Sequence, residues 1–305
     1  MNKKVRIGSR DSVLAIKQAG IVMESVNASR LEIEFELVLI KTTGDRILDK
    51  NLDEIGGKGL FIKELEQALA NGNIDIAVHS YKDMPYEETG GLPVVALSQR
   101  ESPFDALVLP ASADGTAPAG INTAGIDPAK PVGSSSLRRT IQFQRLYGDL
   151  DVEPIRGNVP TRLSKLDGGE YSALILAEAG LKRLSLQKRV SRVFTADEMI
   201  PSGSQGILAV QGRQGESYPY LDCFHSRESE IVSKAERQYL KTLAGGCTSP
   251  IAVFGRLHNN ELLVTGMYVD ASGNMETGKI SGDAKDAQLL GEKLAAQLKS
   301  RLENR

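Results

Sequence analysis

Four stretches share one design: a strand-like segment ends, a polar or glycine turn follows, a basic residue appears and a helix begins. They are Gly8-Ser9-Arg10-Asp11-Ser12, Gly56-Gly57-Lys58-Gly59, Gly133-Ser134-Ser135-Ser136-Leu137-Arg138-Arg139, and Arg156-Gly157-Asn158 with Arg162 in the turn that follows. The first N–H groups of a helix have no partner within it and carry partial positive charge, so each such terminus suits an anion. A cation in the first turn is disfavoured by ~0.3–1 kcal/mol, so Arg138, Arg139 and Arg162 require something negative beside them. Taken singly, each arginine reads equally well as a solvated surface charge. The recurrence points instead to one cleft lined with Arg and Lys, for a ligand bearing several carboxylates or phosphates.

One acid and one thiol stand out beside these cations. His79-Ser80-Tyr81-Lys82-Asp83-Met84-Pro85 follows a buried-type strand, and Pro85 forces Met84 into an extended conformation, so the segment is stiff and Asp83 is expected to project into the cleft. A carboxylate among cations can guide a cationic intermediate or exchange a proton with a leaving amine; its plainer reading is a turn or salt-bridge residue. His79 reads as structural. Cys247, in Leu243-Ala244-Gly245-Gly246-Cys247-Thr248-Ser249-Pro250, follows a long helix for which the glycine pair forms a C-cap. The partial negative charge of that helix end raises a thiol pKa, so Cys247 suits a permanent thioether anchor better than a turnover nucleophile, or else it is a small buried thiol, as Cys223 is taken to be.

The elements that must position these residues alternate. Val5–Gly8 reads as a strand, 12–27 as a helix and 33–40 as a strand; a helix through Ile62, Leu65 and Leu69 leads to strands at 74–79 and 92–97. A glycine-, alanine- and proline-rich segment, 110–131, reads as an exposed loop. A second run follows: strand 131–133, helix 137–147, strand 152–155, helix 159–166 and strand 173–177. Short apolar strands between helices predict mainly parallel sheets, whose anion-binding turns gather at the strands' carboxyl ends. Beyond Gly212 the pattern becomes helix 227–243, strands 251–256, 261–269 and 274–281, and an amphipathic helix 284–302.

Composition narrows the function classes. The 305 residues carry 37 Lys and Arg against 39 Asp and Glu, a net charge of −2 that argues against a nucleic-acid binder held by bulk electrostatics. Two cysteines, 24 positions apart, and three histidines form neither a disulfide framework nor a metal pattern, so no metal is expected. No apolar run approaches the ~18 residues of a membrane span, and the start MNKKVRIGSRD lacks a signal-peptide core, which places the chain in the cytoplasm, away from membranes. Lys58 is followed by Gly59 where a P-loop needs Ser or Thr, and Gly203-Ser204-Gln205-Gly206 does not complete a dinucleotide fingerprint.

VHSYKDMP, GSSSLRRTIQFQRL, IRGNVPTRLSKLDGGEYSALILAEAGLKRL and AERQYLKTLAGGCTSPI, with IGSRDSVLAIKQA and GGKGLFIKELE before them, closely resemble the porphobilinogen deaminase (hydroxymethylbilane synthase) family, in order from about Arg6 to Gly255. The resemblance implies a transferase of tetrapyrrole and haem biosynthesis. It joins four porphobilinogen molecules head to tail with loss of ammonia, on a dipyrromethane cofactor held by a thioether, one per chain. Carried over by motif, Cys247 holds the cofactor with Lys82, Arg138, Arg139, Ser134 and Ser135, and Asp83 contacts pyrrole nitrogens and assists loss of the amine. Arg10, Ser12, Lys58, Arg156, Arg162 and Arg183 receive acetate and propionate groups of the substrate.

The resemblance also implies an α/β fold of three domains in a monomer. Residues 1–98 with 200–216 and residues 103–196 form two doubly wound lobes like those of type II periplasmic binding proteins. Residues 222–305 form a small α+β domain with a three-stranded antiparallel sheet. Two positions depart from the family pattern: Ser204 where a glycine is usual, and Ala244 where an acid usually precedes Gly-Gly-Cys. A noncatalytic anion-binding module of the two-lobed type is the alternative; it needs neither Asp83 nor Cys247.

Overall fold

A computed structural model describes residues 3–46, 62–87, 89–111, 125–148, 150–244 and 250–304. The chain opens with β1 (Lys3–Arg10), α1 (Val13–Ala28), β2 (Ile33–Ile40), the single turn α2 (Thr43–Arg46), α3 (Lys63–Ala70), β3 (Ile76–Ser80) and β4 (Val94–Leu97). Ser12 caps α1 by accepting the Ala15 N–H at 3.3 Å. Ala15, Gln18, Ala19, Val22 and Val26 then recur at helical spacing along the buried face of α1. The chain next builds a second sheet from β5 (Asp105–Val108), β6 (Val132–Gly133), α4 (Leu137–Tyr147), β7 (Val152–Glu153), α5 (Val159–Asp167), β8 (Ala173–Ala177), α6 (Glu178–Arg183) and β9 (Arg192–Val193), and returns to the first as β10 (Leu208–Gln211).

The two five-stranded sheets follow one plan, β2-β1-β3-β10-β4 and β7-β6-β8-β5-β9. In each, the first three strands run parallel and the fourth, which has just crossed from the other lobe, is antiparallel to both neighbours. The expectation of mainly parallel sheets is therefore corrected to mixed ones. Sequence reading passed over β5 and β10 because DALV and LAVQ are four-residue segments without a resolvable period. Both are buried at every position, as central strands covered on both faces must be. Edge strand β2 alternates in burial instead.

The remainder is α+β: α7 (Arg227–Thr242), β11 (Ala252–His258), β12 (Glu261–Val269), β13 (Met275–Asp283) and α8 (Ala287–Glu303). The three strands form an antiparallel sheet in the order β11-β12-β13. Its Val253, Leu262 and Val264 pack in one apolar cluster with Ala235 and Tyr239 of α7 and Leu294 and Leu298 of α8. The last helix begins three residues later than its periodicity suggests, after a 3-10 turn, Ala284–Asp286. The architecture is thus α/β, with two doubly wound lobes and a small third unit, as the resemblance implied.

Two expectations about chain ends need correction or fall outside view. Ala244, just after α7, is in the left-handed region at φ +49°, and the glycine pair predicted to cap the helix, Gly245-Gly246, lies outside the described residues. Most of the expected exposed loop, residues 112–124, lies outside the described residues.

Candidate active site

The two lobes enclose a cavity of about 690 Å³ lined by Arg10, Ser12, Lys82, Asp83, Arg139, Arg156, Arg162 and Arg183, among others. Three local features deliver these side chains. Arg10 ends β1, and Ser12 caps the helix that follows. Asn158 caps α5 by accepting the Thr161 N–H at 2.9 Å, which sets Arg162 in the first turn with its Nε donating to the Gly157 carbonyl at 2.8 Å. Arg183 ends α6 and donates to the Gly206 carbonyl at 2.7 Å, in the segment that returns to the first lobe.

Asp83 closes a three-residue 3-10 turn, Tyr81–Asp83, directly after β3. Met84 is extended, at φ −79° and ψ 140°, as the following Pro85 demands. Tyr81 is buried and its N–H donates to the Ile207 carbonyl at 3.0 Å, while Asp83 is exposed and faces the cavity. Asp11 also lines the cavity but lies 4.0 Å from Lys41. Lys82 donates to Gln205 Oε1 at 3.2 Å, and burial pushes its pKa down to about 8 against the opposing pull of Asp83.

The anion that Arg138 and Arg139 require is a side chain of this protein. Asp105, fully buried at the start of β5, lies 2.8 Å from Arg138 Nη1 and 2.8 Å from Arg139 Nη2, and Gln205 Nε2 donates to it at 3.0 Å. Burial alone would raise the carboxyl pKa, yet the two guanidiniums hold it well below the usual carboxylate range. Sequence reading missed Asp105, and the only signal was the pair of misplaced cations, which it assigned to a ligand. Arg138 also donates to the Ile200 carbonyl at 2.8 Å and, like Ser134 and Ser135, is not a cavity-lining residue. Ser134 is buried, and Ser135 hydrogen-bonds both the carbonyl and the N–H of Ile155.

The remaining cations are differently placed. Burial, with Arg139 and Arg156 nearby, pushes the Arg162 pKa down to about 10, and burial does the same to Arg183. Both donate hydrogen bonds to carbonyl oxygens, and Lys82 donates to an amide oxygen. Among the described residues none of these three makes an ion pair. Partly desolvated cations that face a cavity without an ion pair of their own are stabilised by anions that enter it, so the donor set fits a ligand with several carboxylates, including a dipyrromethane.

Of the other residues singled out in the sequence, one meets its expectation, one is corrected and two lie out of view. His79 is buried beside Gln211, and desolvation pushes its pKa down to about 4, which keeps the imidazole neutral as a structural residue. Cys223 is exposed, not buried, because Leu221 and Phe224 take the inward positions of that turn. Lys58 and Cys247 lie outside the described residues.

Residues 5–218 match the family model described as porphobilinogen deaminase, dipyrromethane cofactor binding domain, and residues 231–300 match that of the porphobilinogen deaminase C-terminal domain. The chain belongs to the porphobilinogen deaminase family. Among its relatives, a porphobilinogen deaminase of Ruminiclostridium josui is 48% identical over 299 residues, covering 98% of each chain. One of Alkaliphilus oremlandii is 50% identical over 296 residues, covering 97% of each. The family's cofactor-binding domain thus embraces both lobes and the whole described cavity.

Proposed function

We propose that this chain polymerises four porphobilinogen molecules into hydroxymethylbilane with release of ammonia, as a transferase of tetrapyrrole biosynthesis. One observation carries the reading: a single cavity brings Asp83 together with Lys82, Arg162 and Arg183, half-buried cations that make no ion pair among the described residues. Each pyrrole carries two carboxylates, so a growing chain needs many cations in one cleft. Arg10, Ser12, Arg139, Arg156, Arg162 and Arg183, with Lys58 on sequence grounds, receive acetate and propionate groups. Charge pairing with them fixes where each ring lies.

In each joining step the carbon–nitrogen bond of an aminomethyl group breaks, its carbon bonds to the free ring carbon of the accepting pyrrole, that carbon loses its hydrogen as a proton, and ammonia leaves, the proton lost balancing the one the departing amine carries away. The Asp83 carboxylate, aimed into the cavity by its turn, stabilises the positive charge that develops as the amine departs and orients the pyrrole N–H. Lys82, held by Gln205, sets the local potential and keeps a carboxylate-bearing ring beside Asp83. The dipyrromethane, when bound, supplies the pyrrole end to which the next unit is joined. Cys247 would hold it by a thioether, Lys82 and Arg139 would bind its carboxylates from the cavity wall, and Arg138, Ser134 and Ser135 would support those residues.

We further propose that residues 1–98 with 200–216, 103–196 and 222–305 act as three domains, so that the lobes adjust as the product lengthens. No helix among the described residues is long and apolar enough to cross a membrane. The proposed setting is the cytoplasm and the proposed working form a monomer, since one chain supplies every site residue named.

Intact mass of the denatured protein, after incubation with porphobilinogen, tests the reading. The mass should exceed that of the sequence by two linked pyrrole units, carried on the peptide containing Cys247. Cys247→Ser should lack both adduct and ammonia release, while Cys223→Ser keeps both. Ammonia release from a protein whose Cys247 stays unmodified would sink the anchored-cofactor reading.

A further inference from the structure

We infer that Arg237, on α7 and outside the cavity, is a positioning residue for Asp83; the inference rests on the catalytic reading of Asp83 given above. Its guanidinium carbon lies 4.4 Å from the centroid of the Tyr81 ring. One Nη donates to the Pro85 carbonyl, and the other approaches the Met84 carbonyl at 3.5 Å. These contacts bracket Asp83, on Tyr81 at the start of its turn and on the two residues that follow it. A three-residue 3-10 turn has few hydrogen bonds of its own, so an exposed acid at its end depends on outside contacts for a fixed direction. A planar guanidinium can stack on a ring and donate in its own plane at once, which an ammonium cannot.

The neighbouring residue shows why α7 is the reference frame. Glu236, fully buried, accepts from Arg100 Nη1 at 2.7 Å, the Ser204 N–H at 2.6 Å and the Gly255 N–H at 2.7 Å. Arg100 and Ser204 belong to the two segments by which the chain passes between the lobes. Consecutive residues of one helix therefore hold the Asp83 turn and both crossings, and the chain beyond that helix carries Cys247. A fixed α7 relates the acid to the anchor of the growing product while the lobes adjust around it.

The test uses the holoenzyme and porphobilinogen. Arg237→Lys and Arg237→Met should lower kcat by about 10–100-fold, the scale of a small misplacement of a reacting group, with KM within threefold and the Cys247 adduct intact. Residues that act through one another are not additive. In an Asp83→Glu background, where the carboxylate is already displaced by one methylene, Arg237→Lys should therefore cost at most threefold more. If Arg237→Met fails to fold, Arg237→Lys carries the same test. Wild-type kcat in Arg237→Lys, or losses that multiply in full in the double variant, would overturn the positioning role. Full turnover of Asp83→Asn alone would instead remove the reading of Asp83 itself, and the inference with it.

Discussion

Asp83 and Asp105 stand near the same end of two similarly built sheets. Asp83 lies three residues beyond Ser80, the last residue of β3, and Asp105 pairs with Ala177, the last residue of β8. Their surroundings are opposite. Asp105 is fully buried between two arginines and Gln205, and its charge is spent in neutralising the first turn of α4. Asp83 is exposed to the cavity, with Lys82 beside it. A carboxylate enclosed by paired cations is a structural pin, since removing it leaves buried charges uncompensated. One left facing a cavity of under-paired cations is available for chemistry. Position at the end of a strand does not separate the two roles; burial and the count of partners do.

The largest expected effect is on rate. Asp83→Asn keeps size and loses charge, so it should fold with an unchanged thermal midpoint while ammonia release falls by at least ~10²–10⁴-fold. Near-normal turnover in the folded variant would erase the contrast between the two acids.

Asp105→Asn should act on stability, by ~3–5 kcal/mol in denaturant unfolding, because Arg138 and Arg139 lose their buried counter-ion. The sign with pH follows from the depressed native pKa of Asp105. Its contribution is complete above the unfolded value of ~3.9 and declines as pH falls toward the native one. The gap in stability between wild type and Asp105→Asn should therefore narrow on acidification below about pH 4. A constant gap across that range would mean that the arginines do not depend on the carboxylate's charge.

The smallest effect concerns the crossings between the lobes. Ser204 is fully buried at φ +62°, and its Oγ has no hydrogen-bond partner among the described residues. Left-handed backbone costs a non-glycine residue ~1–2 kcal/mol, and an unsatisfied buried hydroxyl adds to that. Ser204→Gly should thus stabilise by about 1 kcal/mol after the glycine's greater unfolded-state freedom is subtracted, raising the thermal midpoint by roughly 2 °C. A lower midpoint would show that the hydroxyl packs favourably. The same change at Gly206 in reverse is forbidden, since a Cβ there would lie 2.2 Å from the Glu101 carbonyl oxygen.

Much of the frame was legible along the chain. β2, α4, β8 and β12 have the limits their periodicity predicts, because the 3.6- and 2-residue repeats and the caps at Ser12 and Asn158 are local signals. The two departures from the family pattern, Ser204 and Ala244, both prove to occupy the left-handed region, a backbone property that residue type alone does not report. The recurring basic turns pointed to one cavity, which Arg10, Arg139, Arg156 and Arg162 do line, because free N–H groups at a helix start have the same chemistry in any fold.

What the tertiary structure alone decided is which negative group meets which cation. Arg139 and Asp105 are 34 positions apart and touch only because β5 is threaded antiparallel between β8 and β9. Likewise Gln205 reaches Lys82 from 123 positions away through the returning strand β10, and Arg237 reaches Pro85 across 152. Local sequence determined the helix termini, the stiff turn and the anion-seeking arginines. Long-range strand insertion decided that Asp105 would neutralise two of those arginines, and that Lys82, Arg162 and Arg183 would face the cavity without an ion pair among the described residues.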